Sequence, residues 1–260
     1  MITSIANSRV RQVMQWQSKV KERHRDRVFV VEGTKMFLEA PERLVREVYL
    51  SEGFRSQDLT DKLTRTGYEI VSDNVFAKMS DTRSPQGILA VIEQPQYELN
   101  QLLNTANPLF LILEDLQDPG NLGTILRTGE GAGITGVIMS EHTVDVFNPK
   151  VIRSTMGSIY RVPFLYEADL PATIRKLHAA GVKSYAAHLK GETYYDSFSF
   201  REPAAFLIGN EGKGLSEELS EAASACLKIP MEGELESLNA SVAAALLMYE
   251  AHRQRANQKR

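Results

Sequence analysis

The chain has little cysteine and no long apolar run, and these two absences exclude several classes of protein. Its 260 residues include one cysteine, Cys226, which excludes a disulfide framework and a thiolate zinc site. Cys226 stands in the apolar stretch ACLKIP and is interpreted as a small buried hydrophobe in a reducing compartment. No apolar run approaches the roughly 20 residues that span a bilayer, and the N-terminal MITSIANSRVRQ has no apolar signal core. The sequence therefore predicts a cytoplasmic protein with no membrane partner.

The chain also has little excess of either charge, because its formal net charge is -3. This near balance argues against a protein that binds nucleic acid over its whole surface. Positive charge is concentrated at residues 9–27, where seven arginines and lysines stand against two acids. The last eight residues add basic side chains and no acid, namely Arg253, Arg255, Lys259 and Arg260. Such clusters either neutralise phosphates or form a solvated helix face and a frayed tail. The candidates for phosphate contact in the first cluster are Arg9, Arg11, Arg23, Arg25 and Arg27.

Several motifs of known chemistry are missing. No H-E-x-x-H, Walker A lysine pattern, G-x-S-x-G elbow or Cys/His cluster occurs, so no metal site is expected, and the scattered histidines are interpreted as structural or surface residues. Residues 131–136 spell the dinucleotide fingerprint G-x-G-x-x-G, but a helical stretch precedes the glycines and the strand-like GVIMS follows them. Because this order is the reverse of the one required, the glycines are expected to end a helix and turn the chain into a strand.

The order of apolar and polar segments predicts an α/β protein of two domains. Strand-like and helix-like segments alternate over residues 1–93, and again over 109–260. Between them, the polar segment QPQYELNQLLNTANP (94–108) is expected to be a linker. The second alternation ends in a helix predicted over 239–256, preceded by the strand-like segments LFLILED, GVIMS, GVKSYAAHL, AAFLIGN and CLKIP.

Three polar turns in the second domain each follow an apolar, strand-like stretch. They are D-P-G-N (118–121), G-N-E-G-K-G (209–214) and S-L-N (237–239). Because open α/β sheets bind ligands at the carboxyl ends of their strands, three such turns indicate one shared site. In the first turn Asp118 or Asn121 can cap the helix that carries Arg127, and in the second glycines flank Glu211. A capped helix with a surface arginine, and a simple N-cap for the third turn, remain open as plainer interpretations.

The same segments resemble the SpoU family, also called TrmH-like, of RNA ribose 2′-O-methyltransferases within the SPOUT superfamily. Three motifs carry the resemblance, in the order D-P-G-N-L-G-T-I-L-R (118–127), I-G-N-E-G-K-G-L (208–215) and I-P-M-E-G-E-L-E-S-L-N-A-S-V-A (229–243). The N-terminal part resembles the substrate-binding domain of several members through FVVEGTKMFLEA (29–40) and KMSDTRSPQGILAVIE (78–93). One departure is Ala240, where members often have valine, a mild change that puts nothing catalytic in doubt.

The resemblance implies methyl transfer from S-adenosylmethionine to a ribose 2′-hydroxyl of RNA. It implies a C-terminal parallel-sheet domain with a deep trefoil knot and a smaller N-terminal α/β domain that binds the RNA, with the basic residues of 9–27 as contacts. The cofactor's adenosine would be held by backbone groups around Leu207, Gly209, Ile229, Met231 and Leu238. The central catalytic residue would be Arg127, surrounded by Asn121, Glu211, Ser237 and Asn239. Family members act as homodimers, with the knot and the last helix at the interface.

The residue types suit this chemistry. Arginine stays protonated in proteins and is a poor base, so Arg127 is expected to stabilise the developing oxyanion and fix a phosphate, with Glu211 and Asn239 orienting Arg127 or the ribose. An N-terminal domain of this type favours large-subunit (23S) ribosomal RNA as the substrate. The alternatives are a transfer RNA 2′-O-methyltransferase, an RNA-binding module that has lost catalysis, and a different methyltransferase or nucleotide-dependent enzyme.

Overall fold

The computed structural model describes residues 1–189, 191–234 and 237–256, and the chain folds into two compact units. The first unit comprises Met1–Gln96 and Asp145–Tyr160, and the second comprises Tyr97–Val144 and Arg161–Arg260. The segment Asp145–Tyr160 therefore groups with the N-terminal residues, whereas the sequence predicts a single domain over 109–260. No helix in the described part of the chain is long and apolar enough to cross a membrane.

The helices and strands follow the predicted alternation. Residues 1–96 form α1 (Ser8–Ser18), α2 (Val20–Asp26), β1 (Val28–Glu32), α3 (Thr34–Glu39), β2 (Val45–Ser51), α4 (Thr60–Thr66), β3 (Glu69–Val71), α5 (Asp73–Met79) and β4 (Ile88–Glu93). The remaining residues form α6 (Leu99–Leu103), β5 (Leu109–Leu113), α7 (Pro119–Ala132), β6 (Gly136–Ser140), α8 (Pro149–Thr155), β7 (Phe164–Glu167), α9 (Leu170–Ala179), β8 (Lys183–Ala187), β9 (Thr193–Tyr194), β10 (Ala204–Ile208), α10 (Glu217–Ala222), β11 (Ala225–Lys228) and α11 (Ala240–Ala256). Of these, α8 belongs to the first unit and the others to the second.

The first unit contains a four-stranded mixed sheet in the order β1-β4-β2-β3. Strand β4 runs antiparallel to β1 and β2, while β2 and β3 are parallel. Helix α1 buries Val10, Val13 and Trp16 in the core of this unit, a spacing of three residues that places them on one helix face. Between α1 and α2, Lys19 has an extended backbone, so α1 ends there and α2 starts at the next residue.

The two N-terminal segments that carry the family resemblance contact each other. The Glu32 carboxylate, at the end of β1, accepts hydrogen bonds from the Ser80 hydroxyl at 2.7 Å and the Thr82 hydroxyl at 2.6 Å. The Gln86 side-chain oxygen accepts one from the Thr34 backbone N–H at 2.9 Å. The loop between α5 and β4 is thus held by side chains at its start and its end.

The second unit contains a seven-stranded sheet in the order β7-β6-β5-β10-β8-β11-β9. Every neighbouring pair in this order is parallel, which confirms the predicted parallel-sheet fold. Strands β5, β6 and β10 are buried along their whole length, as expected for parallel strands covered on both faces. The chain builds the sheet from β5 towards β7 on one side and places β10 on the other side of β5, so the order reverses there. Such reversal points are where doubly wound sheets bind ligands.

Helix α7 begins and ends as its sequence predicts. The Asp118 side chain caps it by accepting from Asn121 N–H at 2.8 Å, and Pro119 occupies its first turn. Gly133 ends it in the left-handed region, at φ 75°, and β6 starts at Gly136. The glycines of 131–136 therefore end a helix and lead into a strand, and they do not form a dinucleotide-binding turn.

Two local expectations differ from the structure. The segment 94–108 contains α6, whose Leu99 and Leu102 are buried in the core of the second unit, so it is packed rather than a free linker. The prediction that Cys226 is buried is wrong, because its side chain is exposed. Successive side chains of a strand point to opposite faces. In β11 the neighbouring Leu227 takes the buried face and leaves the other face to Cys226.

Candidate active site

The three polar turns lie at the carboxyl ends of strands of the second unit. The first follows β5 and the second follows β10, and these two strands are direct neighbours in parallel register, with Ile208 opposite Leu113. The third precedes α11 and is reached from β11. The turns are joined by side-chain hydrogen bonds, as a single shared site requires.

Glu211 ties the second turn to the first. One of its carboxylate oxygens accepts from the Gln117 backbone N–H at 3.0 Å, and the other accepts from Asp118 N–H at 2.9 Å and from the Asn121 side chain at 3.0 Å. Partial burial raises the pKa of Glu211, but these three hydrogen bonds, with one from its own backbone N–H, outweigh burial and leave the pKa below its ordinary value. Glu211 is therefore an ionised anchor for the start of α7 at neutral pH.

Asn121 and Asn239 extend this connection to the third turn. The Asn121 side chain, buried at the start of α7, donates to Glu211 and accepts from the Asn239 side chain at 2.9 Å. The Asn239 oxygen in turn accepts from the Ser241 backbone N–H at 2.9 Å, which caps the start of α11. Three motifs far apart in the chain thus share one chain of hydrogen bonds, which we call the Glu211–Asn121–Asn239 network.

The second turn is a tight loop that needs glycine. A Cβ atom added at Gly209 would lie 2.1 Å from the Gly214 carbonyl carbon, so no side chain fits there. Asn210 and Gly214 exchange backbone hydrogen bonds of 3.1 and 2.9 Å across the loop. The Asn210 side chain accepts from two backbone N–H groups within the loop and donates to the Asp115 carbonyl. The loop is therefore fixed by hydrogen bonds within the chain.

A cavity of about 430 Å³ opens beside this loop. Of the residues expected to hold the cofactor, Gly209, Ile229, Met231 and Leu238 line it. Leu207 does not, because its side chain is fully buried and its strand is paired on both sides, with β5 and β8. The volume suits a ligand of the size of S-adenosylmethionine, since small-molecule pockets span roughly 300–1,000 Å³. Because the lining residues Gly209, Gly212 and Gly214 have no side chains, they face the cavity with main-chain atoms alone, which fits an adenosine held by backbone contacts.

The expected catalytic residues divide into two groups. Glu211, Ser237 and Asn239 line the cavity, and Asn121 contacts two of them. Arg127 does not line the cavity: it is exposed on α7 and forms no hydrogen bond or ion pair with any described residue. Glu211 and Asn239 bond to Asn121 and not to Arg127, so of the two orienting roles expected for them, the one towards Arg127 is not observed within the chain and the one towards the ribose stays a prediction.

The basic residues of 9–27 differ in exposure. Arg9, Arg11, Arg25 and Arg27 are exposed, but Arg23 is only 2% exposed. The Arg23 guanidinium donates to the Asp145 carboxylate at 2.6 and 3.0 Å and to two backbone carbonyls. The expectation that Arg23 contacts RNA is therefore wrong, because its donors are already used in a buried ion pair. At the C-terminus, Lys259 and Arg260 lie outside the described residues.

Some site groups have no signal in the sequence. Two of the three groups that bind Glu211 are backbone amides, of Gln117 and Asp118, and no residue pattern marks an amide that a distant side chain will bind. His188, Lys213 and Lys228 line the cavity as well. The available signal for His188 and Lys228 was their position at the carboxyl ends of β8 and β11.

Family models match both parts of the chain. Residues 108–249 match the SpoU rRNA Methylase family, and residues 7–90 match the MRM3-like substrate binding domain. The 23S rRNA (guanosine(2553)-2′-O)-methyltransferase RlmP of Bacillus subtilis is 36% identical over 256 residues, which are 95% of this chain and 97% of that protein.

Solved structures agree with these matches. The AdoMet-bound rRNA methyltransferase from Sinorhizobium meliloti has a TM-score of 0.87 at 29% identity, covering 97% of each chain. The SpoU methyltransferase AviRb from Streptomyces viridochromogenes, in complex with AdoMet, has a TM-score of 0.87 at 28% identity, covering 96% of this chain and 98% of AviRb.

The fold and the site define an α/β RNA methyltransferase of the SPOUT type that uses S-adenosylmethionine. The chain belongs to the SpoU family of RNA 2′-O-methyltransferases. The family, the fold class and the cofactor inferred from the sequence motifs are thereby confirmed.

Proposed function

We propose that the protein methylates a ribose 2′-hydroxyl in large-subunit (23S) ribosomal RNA. The observation that carries this proposal is the Glu211–Asn121–Asn239 network beside a cavity of cofactor size. The choice of RNA is supported by the match of residues 7–90 to a substrate-binding domain and by the relative RlmP, whose name specifies a 23S rRNA guanosine. In a bacterium such a substrate also implies a cytoplasmic protein, since ribosomes are assembled there.

The residues around the cavity have distinct tasks in the proposed reaction. S-adenosylmethionine supplies a methyl group on a sulfonium, and transfer requires the 2′-oxygen in line behind that methyl, so orientation contributes much of the rate. Gly209, Ile229, Met231 and Leu238 would bind the cofactor. The network would keep Asn239 in place beside the ribose, and Ser237 lines the same cavity. Arg127 would stabilise the negative charge that develops on the 2′-oxygen, because its fork of N–H donors suits an oxyanion and a neighbouring phosphate.

The direct test is transfer of a labelled methyl group from S-adenosylmethionine to unmodified RNA. We expect label to enter a 23S rRNA transcript as alkali-stable 2′-O-methyl dinucleotides, and not to enter a transfer RNA pool. Label in transfer RNA alone would contradict the choice of substrate. If neither RNA is labelled while both still bind, the protein is an RNA-binding module without turnover.

The proposal includes a homodimer and the trefoil knot that the family resemblance implies. For the knot, the support is the match of residues 108–249 to the SpoU family and the likeness to solved SpoU methyltransferases. For the dimer, the support is α11, which buries one face against α7 and β10 while Val242, Leu246 and Tyr249 on its other face are 38–48% exposed. Thr124 of α7 lines the same apolar groove. Arg127 lies one turn further along α7, so a second copy on this groove would bring Arg127 into a shared site.

Substituting Leu246 by Glu tests the dimer. We expect the solution mass to fall from twice the chain mass to the chain mass, because a buried charge at such a contact costs about 2 kcal/mol or more. Sedimentation equilibrium measures this change. The matched control is Leu38→Glu on α3, a leucine that is also exposed and should leave the mass unchanged. A dimer that survives Leu246→Glu would place the interface elsewhere.

A further inference from the structure

Two lysines at the cofactor cavity have no charge partner among the residues that the structure describes. Lys213, in the glycine loop, and Lys228, at the end of β11, both line the cavity. Neither ammonium group forms a hydrogen bond or ion pair with any residue that the structure describes. No described residue of the chain therefore accounts for the two positive charges at this cavity.

The acid at this cavity does not neutralise them. Glu211 is the one carboxylate among the described lining residues. Both of its oxygens are directed to the start of α7, where they bind Gln117, Asp118 and Asn121. Glu211 therefore leaves both lysines available to a ligand that arrives from outside.

Both lysines stand on backbone that is already fixed. The Lys213 N–H donates to the Asn210 side chain at 3.0 Å, inside the loop closed by Asn210 and Gly214. Lys228 is paired with Tyr194 of β9, and the preceding Leu227 accepts from the His188 N–H at 3.0 Å. Because the main chain is held, only side-chain rotamers need to be ordered when an anion binds.

The charges of the two substrates indicate which of them the lysines bind. S-adenosylmethionine carries a sulfonium, an ammonium and a carboxylate, so its net charge is positive and two lysines repel it overall. The acceptor RNA brings a negative group to the same place, since the carbon that bears the 2′-hydroxyl adjoins the carbon that carries the 3′-phosphodiester. A 2′-oxygen positioned for methyl transfer therefore places a phosphate within a few ångströms of the reaction.

We propose that Lys213 and Lys228 bind the phosphodiester next to the acceptor ribose and so position the 2′-hydroxyl for transfer. This inference rests on the proposed function and adds two substrate-positioning residues to the site. A flexible ammonium group suits this task, because it binds phosphate as a point charge and tolerates the movement of the ribose during transfer.

The test uses Lys213→Ala, Lys228→Ala and the double variant, with Lys183→Ala as the matched control. Lys183 is an exposed lysine at the start of β8, the opposite end of the strand from the cavity. Binding of an oligouridine 12-mer is measured against salt concentration in the presence of S-adenosylhomocysteine. We expect the salt slope to fall by about 0.7 for each lysine removed and the Kd to rise about three- to tenfold, with Lys183→Ala unchanged.

Kinetics on the 23S rRNA transcript separate positioning from chemistry. We expect the KM for RNA to rise about tenfold in the double alanine variant, with the affinity for S-adenosylhomocysteine unchanged. The double variant Lys213→Arg, Lys228→Arg should have the wild-type KM. Unchanged KM and salt slope in the double variant would overturn the inference.

Loss of affinity for S-adenosylhomocysteine but not for 5′-methylthioadenosine, which lacks the carboxylate, would instead assign the lysines to the cofactor's tail. Absence of methylation by the wild-type protein would refute the proposed function, while the oligouridine salt slopes would still decide the role of the lysines.

Discussion

Replacing Arg127 by Ala is expected to abolish nearly all methyl transfer while leaving the fold and the cofactor site intact. Removing a group that stabilises developing negative charge typically costs 10²–10³ in rate, and Arg127 would also lose its phosphate contact, so we expect a loss of about 10³-fold or more. Lys at this position should recover only part of the rate, because a point charge cannot reproduce the guanidinium fork. Single-turnover transfer to the 23S rRNA transcript measures the effect.

The effect of Arg127→Ala on the rate can be separated from effects on folding and cofactor binding. Arg127 is exposed and has no partner among the described residues, so its removal should leave the melting temperature and the binding of S-adenosylhomocysteine as in the wild type. Arg175→Ala provides the matched control, because Arg175 is also an exposed arginine within a helix of the second unit. Transfer within tenfold of wild type in Arg127→Ala would remove Arg127 from the catalytic step.

Sharing of Arg127 between subunits can be tested with the same variant. If Arg127 acts on the partner's cavity, mixed dimers of Arg127→Ala and Glu211→Gln contain one cavity with both residues intact, and part of the activity returns on mixing. If Arg127 acts within its own subunit, mixed dimers still contain no intact site and activity does not return.

The sheet and the position of the site are predictable from the sequence because both depend on local patterns. Continuous apolar runs mark the buried parallel strands β5 and β10, and a polar turn after each marks a carboxyl end. Parallel strands bring those ends to one side of the sheet, which is why the residue pattern alone assigns three distant turns to one site. The capping role of Asp118 is equally local, since it bonds three residues ahead.

Features that depend on long-range pairing could not be predicted in this way. In the sequence Arg23 is one more cation in a basic segment, and only its pairing with Asp145, 122 residues away, shows that it is buried. The same contact helps explain why Asp145–Tyr160 joins the first unit. Likewise, periodicity says that Cys226 and Leu227 face opposite ways but not which of them faces the core.

Replacing Glu211 by Gln is expected to disrupt the site although the side chain keeps its shape. Glu211 accepts three hydrogen bonds and donates none, whereas Gln offers one acceptor oxygen and would direct its NH₂ group at the Asn121 amide or a backbone N–H. Hydrogen bonds to a charged group contribute about 1.5–3 kcal/mol each, so we expect lower stability and a fall in transfer rate of about 10²-fold. Thermal unfolding and single-turnover transfer measure the two effects.

The pH dependence separates this anchoring role from a role as a general base. Because the hydrogen bonds hold the pKa of Glu211 below its ordinary value, its ionised form contributes stability that is fully present above about pH 4.3, the unfolded value, and is lost as pH falls through the lower folded value. The stability difference between wild type and Glu211→Gln should therefore be constant near neutral pH and shrink in acid. Glu221→Gln, at an exposed glutamate of α10, should show no such difference. A neutral-pH stability equal to wild type, combined with lost activity, would instead make Glu211 a group that acts on the substrate directly.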